Sequence, residues 1–504
     1  MASEIPVSSI DPLLFVPVQP NSFFCTPTSP CEIVDIINSF KNKGSDLSTV
    51  PPFIYKLIAD IISVPLSNLI NESFEQGIFP DILKVARVIP LFKSGVLHLL
   101  SNYRPISNLH FVSKIFERAM YRRLVDFIEK FEILFVNQFG FRKHRSTDDA
   151  LIKFTDCIYD SFEKSNYSLS VFLDFSKAFD TIDHSILIKK LERFGIRGNS
   201  LRWFESYLSN RYQYVSIGSS LSQCLPILTG VPQGSILGTL LFLLYINDMN
   251  KCAPNINFFH FADDTSVVCT GSNLSNVLDV VNSELAHVNE WLCCNKLSLN
   301  INKSAFMIFS NRDKDNENTV YIRGAALEKV NFIKFLGVII DDKLSFSRHT
   351  SLVKSKIAKC CGIMYKLSNY VPNYILKKIY STLVFPYLNY CISVWNNSSL
   401  TQLARLQSKV NRCIRFANPR ITNLHVQEYH AHGFFTVKDI FIYNTQIKFY
   451  KYYKLKYNEE FVTKILNIQV QHCHSTRFGS DNKLMLPLYT KAIAQKSFTY
   501  CSLS

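Results

Sequence analysis

The chain has 504 residues, 47% of them apolar, enough to bury a large core and more than one core usually spans, so two or three subdomains are expected. Its longest apolar stretch, Leu237 to Ile246, falls far short of the roughly 18 residues that a membrane-spanning helix needs. Met1 to Pro20 lacks a basic region followed by a long apolar run, so no secretory leader is predicted. The formal charge of +15 is unevenly placed. Residues 343–504 hold 23 Lys and Arg against 5 Asp and Glu, and residues 1–342 hold 32 against 35. A near-neutral body with a strongly basic tail points to a polyanion held by the tail.

Fourteen cysteines show no C-x-x-C, and the close pairs Cys293–Cys294 and Cys360–Cys361 are adjacent, which suits neither a zinc knuckle nor an ordinary disulfide. Free thiols in a reducing compartment follow, hence an intracellular chain, nuclear or cytoplasmic.

In chain order, residues 1–31 are rich in Pro and Ser without a period and read as a loose, poorly ordered leader. From Glu32 to Phe79, apolar residues at helical spacing (Ile33, Ile36, Ile37, Phe40, then Ile54, Leu57, Ile58, Ile61) predict helices. Val85 to Phe92 reads as a strand before a Lys93-Ser94-Gly95 turn, and Ser113 to Glu129 as an amphipathic helix. Leu169 to Leu173 is a buried strand, Ser185 to Phe194 and Ser200 to Leu208 are helices, and Tyr212 to Ile217 alternates as a strand. Leu237 to Met249 is apolar on nearly every side, which predicts a buried helix. Asn257 to Phe261 and Ser266 to Cys269 are short strands around a tight turn, then Leu274 to Trp291 is a helix and Met307 to Ser310 a strand. From Ser345 onward the pattern is mostly helical with Lys and Arg on the polar faces. No internal repeat is found, and the pattern indicates α+β architecture.

Three stretches carry chemistry. In Leu173-Asp174-Phe175 an apolar strand delivers Asp174 at its end, where a carboxylate meets solvent. In Phe261-Ala262-Asp263-Asp264-Thr265 two adjacent carboxylates occupy a turn flanked by apolar strands; their charges repel, and a divalent cation would cancel the repulsion. Three carboxylates on neighbouring strand ends can hold two metals about 3.5–4 Å apart, the arrangement that serves in-line phosphoryl transfer. Gly230-Val231-Pro232-Gln233-Gly234-Ser235 precedes the buried helix; its glycines permit unusual backbone angles, and Gln233 offers an uncharged donor and acceptor.

These stretches, in this order, resemble the reverse transcriptases of non-LTR (LINE-type) retrotransposons, especially the jockey-like branch. The resemblance extends to Asn102-Tyr103-Arg104-Pro105-Ile106-Ser107, Gln138-Phe139-Gly140-Phe141-Arg142 with Ser146-Thr147, Leu297-Ser298-Leu299-Asn300-Ile301-Asn302-Lys303 and Phe335-Leu336-Gly337-Val338, covering roughly residues 32–480. It implies a right-hand polymerase: fingers at about 32–165 plus part of 200–230, a palm with an antiparallel sheet around the three Asp within 32–344, and a basic helical thumb and C-terminal extension over 345–504. It implies an RNA-directed DNA polymerase that adds dNTPs to a DNA primer on an RNA template, with two Mg2+ ions, for which Mn2+ substitutes.

Residue by residue, Asp174, Asp263 and Asp264 would be the metal ligands and Phe179 a steric gate against the ribose 2′-hydroxyl. Arg104, with Lys93 as a helper, would contact the triphosphate. Gln233 and Gly234 would line the nucleotide pocket, and Lys303 would sit near the pyrophosphate as a proton donor. Arg142 fits a finger salt bridge, Asp180 and Asp183 fit capping or salt-bridging, and His184, Trp203, Trp291 and Trp395 fit structural roles. His425, His430 and His432, and the run His472-Cys473-His474, have no zinc-finger spacing.

Lys354, Lys356, Lys359, Lys377, Lys378, Arg405, Lys409, Arg412 and Arg415 could track the phosphates of an RNA–DNA duplex, with the aromatics of Phe449 to Tyr457 interleaved. Full-length elements of the family carry an endonuclease ahead of the polymerase. Only about 30 residues precede the fingers here, so a truncated form lacking that domain is expected. Two rivals remain open at this point. One is a co-opted, catalytically inactive fragment that only binds nucleic acid. The other is an RNA-dependent RNA polymerase, which would want a small or polar residue in place of Phe179.

Overall fold

The computed structural model describes residues 10–42, 50–312, 318–396, 398–419, 421, 426–455, 463 and 490–503. The architecture is α+β, built on two sheets. Strands β1 (Val85–Phe92) and β2 (Tyr103–Leu109) form an antiparallel hairpin. Strand β3 (Tyr167–Leu173) begins the second sheet. Strands β4 (Arg211–Ile217), β5 (Ser220–Leu221) and β6 (Leu225–Ile227) complete the first, with β4 parallel to β1. The second sheet gains β7 (Asn257–Phe261), β8 (Asp264–Gly271) and β9 (Ala305–Phe309). Strands β10 (Tyr321–Ile322) and β11 (Ala325–Ala326) make a small separate hairpin, and β12 (Glu328–Lys329) joins β9 in parallel, giving the order β12-β9-β3-β8-β7. Apart from that edge, this palm sheet is antiparallel, as expected. Strands β13 (Phe332–Phe335) and β14 (Val338–Asp341) turn at Leu336-Gly337 before the basic helices begin.

The palm sheet is buried on both faces. Leu169, Val171 and Leu173 of β3 point into one core, shared with the helices Phe111–Lys130, Ile236–Tyr245 and Leu274–Cys294. Phe172, on the opposite face by the two-residue period of a strand, joins Phe259, Met307 and Phe309 in a second core. That second core is closed by the helix Thr147–Glu163 and by the basic helices Ser347–Leu367 and Leu400–Ala417. Trp203, Trp291 and Trp395 are fully buried anchors. Where three helices meet, Lys190 and Asp248, both with no exposed side-chain area, pair at 2.5 Å. Lys190 also donates to the Tyr245 carbonyl, and Trp291 Nε1 donates to the second Asp248 oxygen at 2.8 Å.

One expectation needs correction. Residues 10–31 are not a loose leader but a strap. Val16 and Phe23 lie in the core, Gln19 and Phe23 donate to the carbonyls of Arg193 and Gly195, and Arg123 donates to the carbonyls of Thr26 and Pro27. The strap has no period because its apolar residues follow an irregular extended path, and hydrogen bonds to other elements replace those of a helix or sheet. Within the basic tail, the helix Val437–Tyr453 packs on the helix Thr147–Glu163, where Lys448 pairs with Asp148 (2.9 Å) and Asp149 (2.7 Å) and Tyr452 donates to Asp149. Asp156 accepts from the backbone of Phe498 and Thr499, capping the helix Phe498–Leu503.

All three acidic anchors sit on Thr147–Glu163, a helix absent from the sequence reading. Its signals were present: Ser146 caps it, Asp148 and Asp149 fill its first turn, and Leu151, Phe154, Ile158 and Phe162 recur on one face. No helix among the described residues is long and apolar enough to cross a membrane.

Candidate active site

Leu173, the last residue of β3, pairs with Thr265 of β8, and Phe261 pairs with Asp264 across the β7–β8 turn. Asp174, one residue beyond β3, therefore meets the turn that carries Asp263 and Asp264. Its backbone is held from the other side: Asp174 N donates to Ser304 Oγ (3.2 Å), Asn300 N donates to the Asp174 carbonyl (2.8 Å), and Ser176 N donates to the Ser298 carbonyl (2.8 Å). The segment 298–304, which bears Lys303, thus fixes the end of β3.

Asp263 and Asp264 reach solvent, with enough protein around them that desolvation dominates their titration. Desolvation raises the Asp263 carboxyl above its ordinary value; Asp174 adds to the rise, and Arg104 and Lys93 oppose it. Asp264 is pushed up to about 6 by desolvation and then by the charges of Asp263 and Asp174, again against Lys93 and Arg104. The sequence-predicted carboxylates are therefore together, in mutual repulsion. The two cations that act on them are the ones expected at the triphosphate. Arg104 is presented on β2 opposite Leu91, and Lys93 follows β1, its N–H donating to the Asn102 carbonyl at 2.9 Å. Lys303, exposed on its turn, is not among the charges that move either Asp.

Among the described residues no three His, Cys, Asp or Glu side chains are gathered tightly enough to hold an ion alone. The donor set still fits magnesium, which retains water and takes substrate phosphate oxygens alongside one or two carboxylates. His430 pairs with Asp439 at 3.1 Å, while His425 and His472-Cys473-His474 lie outside the described residues.

The loop 229–235 seats the neighbouring residues. Val231 N donates to the Phe179 carbonyl (2.9 Å), and Gln233 Nε2 donates to Asp180 Oδ1 (2.8 Å). Among the described residues Asp180 caps no helix and forms no ion pair; it is the acceptor for Gln233. The Phe179 ring rests on Phe242, centroids 4.5 Å apart. Ser107 N of β2 donates to the Gln233 carbonyl at 2.8 Å. Gly234, at φ +139°, lies so close to β2 that a Cβ would stand 2.3 Å from the Ser107 oxygen, so only glycine lets loop and strand meet.

Below the loop, buried Glu117 accepts from the backbone of Ile236 (2.6 Å) and Leu237 (3.3 Å), capping the helix Ile236–Tyr245. Sequence reasoning missed Glu117, although a lone carboxylate on the apolar face of Phe111–Lys130 was a visible signal. Asp183 caps the helix His184–Arg193 and pairs with Lys296 at 2.6 Å, His184 bonds the Gly230 carbonyl, and Arg142 pairs with Glu129 at 3.3 Å, as expected of each.

A palm sheet with three carboxylates at its edge and a cationic hairpin facing them defines the class of template-directed nucleotide polymerases. Comparison with known families narrows it. Residues 92–340 match the family described as reverse transcriptase (RNA-dependent DNA polymerase). The chain is 30% identical over 413 residues to the RNA-directed DNA polymerase from mobile element jockey of Drosophila funebris, covering 77% of this chain and 44% of that protein. It is 28% identical over 409 residues to the probable RNA-directed DNA polymerase from transposon X-element of Drosophila melanogaster, again 77% and 44%. The chain therefore carries a reverse transcriptase domain of the kind found in jockey-like non-LTR retrotransposons. It spans less than half the length of these relatives.

Proposed function

We propose that this chain copies an RNA template into DNA by adding deoxynucleotides to a primer 3′-hydroxyl, in an intracellular compartment. The observation that carries this reading is the meeting of Asp174 with the Asp263–Asp264 turn, under the field of Arg104 and Lys93. Asp174, Asp263 and Asp264 would hold the divalent ions. Bound there, two such ions would lower the pKa of the primer hydroxyl and neutralise the leaving pyrophosphate. Arg104, whose guanidinium fork matches phosphate oxygens, and Lys93, a mobile point charge, steer the triphosphate onto the turn. Gln233 and Gly234 line the nucleotide pocket, with Gln233 oriented by Asp180, and Lys303 stands by as a proton donor. The exposed basic residues Lys356, Lys359, Lys377, Lys378, Arg405, Arg412 and Arg415 form a phosphate-tracking face for the RNA–DNA duplex, which gives affinity without sequence choice.

The test is primer extension on an RNA template with Mg2+ and dNTPs. Incorporation supports the reading. Duplex binding without incorporation, under conditions in which a control enzyme works, assigns the chain to nucleic-acid binding alone.

Phe179 deepens the assignment. Its ring is held by Phe242 and by the bond from Val231 to its own carbonyl, so it cannot readily swing aside for a 2′-hydroxyl. Phe179→Ala is expected to raise the ribonucleotide-to-deoxynucleotide efficiency ratio by on the order of a hundredfold, the scale of one lost steric contact set in a packed pocket. Single-nucleotide incorporation with rNTP and dNTP measures it, and an unchanged ratio removes Phe179 as the gate.

A further inference from the structure

The turn that carries the two catalytic carboxylates is conformationally unfavourable by itself. Ala262, just before Asp263, holds φ at +56°, a region that alanine rarely adopts. Such a residue persists only when its surroundings over-determine it. Here the surroundings are the segment 137–140. His260 N donates to the Asn137 carbonyl (2.9 Å) and Phe139 N to the His260 carbonyl (2.8 Å), so this segment runs beside β7 as an added edge, Gln138 bridging His260 in parallel.

Gln138 is 3% exposed, and its Oε1 accepts two backbone donors: Ala262 N at 3.0 Å and Gly140 N at 2.9 Å. One amide oxygen therefore staples the edge segment to the residue that sets the turn. Gly140 completes the fit, since a Cβ there would stand 2.3 Å from the Ala262 nitrogen. The acceptor is also uncharged. A carboxylate in its place would add a further negative charge beside Asp174, Asp263 and Asp264, whose repulsion already raises two of them.

We propose that Gln138 is a positioning residue for catalysis, which fixes the backbone of the Asp263–Asp264 turn through Ala262 so that the two carboxylates stand where the metal-bound triphosphate needs them. The proposal rests on the assignment of those carboxylates as catalytic. Gln138 touches no substrate in this scheme; it acts through the turn. Its removal therefore changes the rate at saturating nucleotide and the metal requirement, and leaves nucleotide and duplex binding in place.

The experiment compares the full chain with Gln138→Met, which keeps length and apolar volume but has no oxygen, and with Gln138→Glu, which keeps an acceptor at the same reach. Single-turnover incorporation on an RNA template is measured against dNTP and Mg2+ concentration, with primer–template binding measured separately. Gln138→Met is expected to lose about a hundredfold in maximal rate, the scale of an ångström-sized misplacement of reacting groups. It is expected to need several-fold more Mg2+ for half-maximal rate, while the dNTP KM and duplex affinity stay within about twofold. Gln138→Glu, which restores the acceptor but adds a negative charge, should recover part of the rate. An unchanged rate and Mg2+ requirement in Gln138→Met overturns the proposal, as does a rate loss matched by an equal loss of duplex binding and not relieved in Gln138→Glu. A wild-type chain that extends no primer overturns the catalytic assignment and this proposal with it; an active wild type beside a full-rate Gln138→Met overturns the positioning role alone.

Discussion

Asp263→Asn abolishes primer extension, by on the order of a thousandfold or more, and leaves primer–template affinity within about twofold. Asp263 lies on an exposed turn and belongs to none of the basic helices proposed to track the duplex, so on the proposed reading charge stabilisation is lost and phosphate contacts are not. The same substitution is expected to raise thermal stability in the absence of metal at pH 8. Both turn carboxyls titrate above the ordinary 3.8, Asp264 at about 6, chiefly because of desolvation, with mutual repulsion added.

A carboxyl whose folded pKa is raised binds its proton more tightly in the folded state. Ionising it therefore lowers stability. The loss is absent below about pH 4, grows between pH 4 and 6, and is complete above 6. Asp263→Asn removes one of the repelling charges, so its melting temperature should exceed that of the wild type at pH 8 and converge with it towards pH 4. Melting in EDTA across that range checks it. A variant that loses extension, duplex binding and stability together would mark Asp263 as structural.

Lys190→Ala should cost about 3–5 kcal/mol of stability, because it leaves the Asp248 carboxylate buried without its cation. Burial lowers the Lys190 pKa and Asp248 raises it again, so each charge is tolerable only in the presence of the other. The ammonium also lies 4.9 Å from the Trp291 ring and 5.1 Å from that of Tyr245, contacts that alanine removes as well. The helices joined here are His184–Arg193 and Leu274–Cys294, with Asp248 just past the helix Ile236–Tyr245. The damage should therefore spread to the loop 229–235 and the catalytic strand ends. Chemical denaturation should show a lower midpoint. Replacing both partners together with apolar residues, as in Lys190→Met with Asp248→Leu, should recover a large part of the loss, since a well-packed apolar pair removes the stranded charge. A Lys190→Ala midpoint equal to the wild type would show that water reaches this pair.

Much of the site could be read before folding was considered, and the reason is local. Strands that end in carboxylates announce themselves by an apolar run that stops at Asp, and the strands Val85–Phe92 and Asn257–Phe261 were located to the residue. A buried helix such as Ile236–Tyr245 shows as a run that is apolar at every position but Gly238 and Thr239. Features defined by contacts between distant segments stayed hidden. Nothing near Gln138 in sequence indicates that its amide would meet Ala262, 124 positions away. The strap of residues 10–31 has no period to read. Asp156 and Glu163 gave no sign that they would anchor the end of the chain, where Phe498 and Thr490 donate to them. The signal for the helix Thr147–Glu163 lies in its Ser146 cap, its acidic first turn and its single apolar face.

If Asp174 and the Asp263–Asp264 turn serve one divalent-cation centre, loss of either carboxylate must release metal. Mn2+ bound to the chain on an RNA template, with a dideoxy-terminated primer and the matching dNTP, can be counted by electron paramagnetic resonance. Protein-dependent Mn2+ is expected to fall in Asp174→Asn and in Asp263→Asn, with the double variant little worse than either single one, because the two positions act as a unit. Equal Mn2+ occupancy in the wild type and all three variants would contradict it.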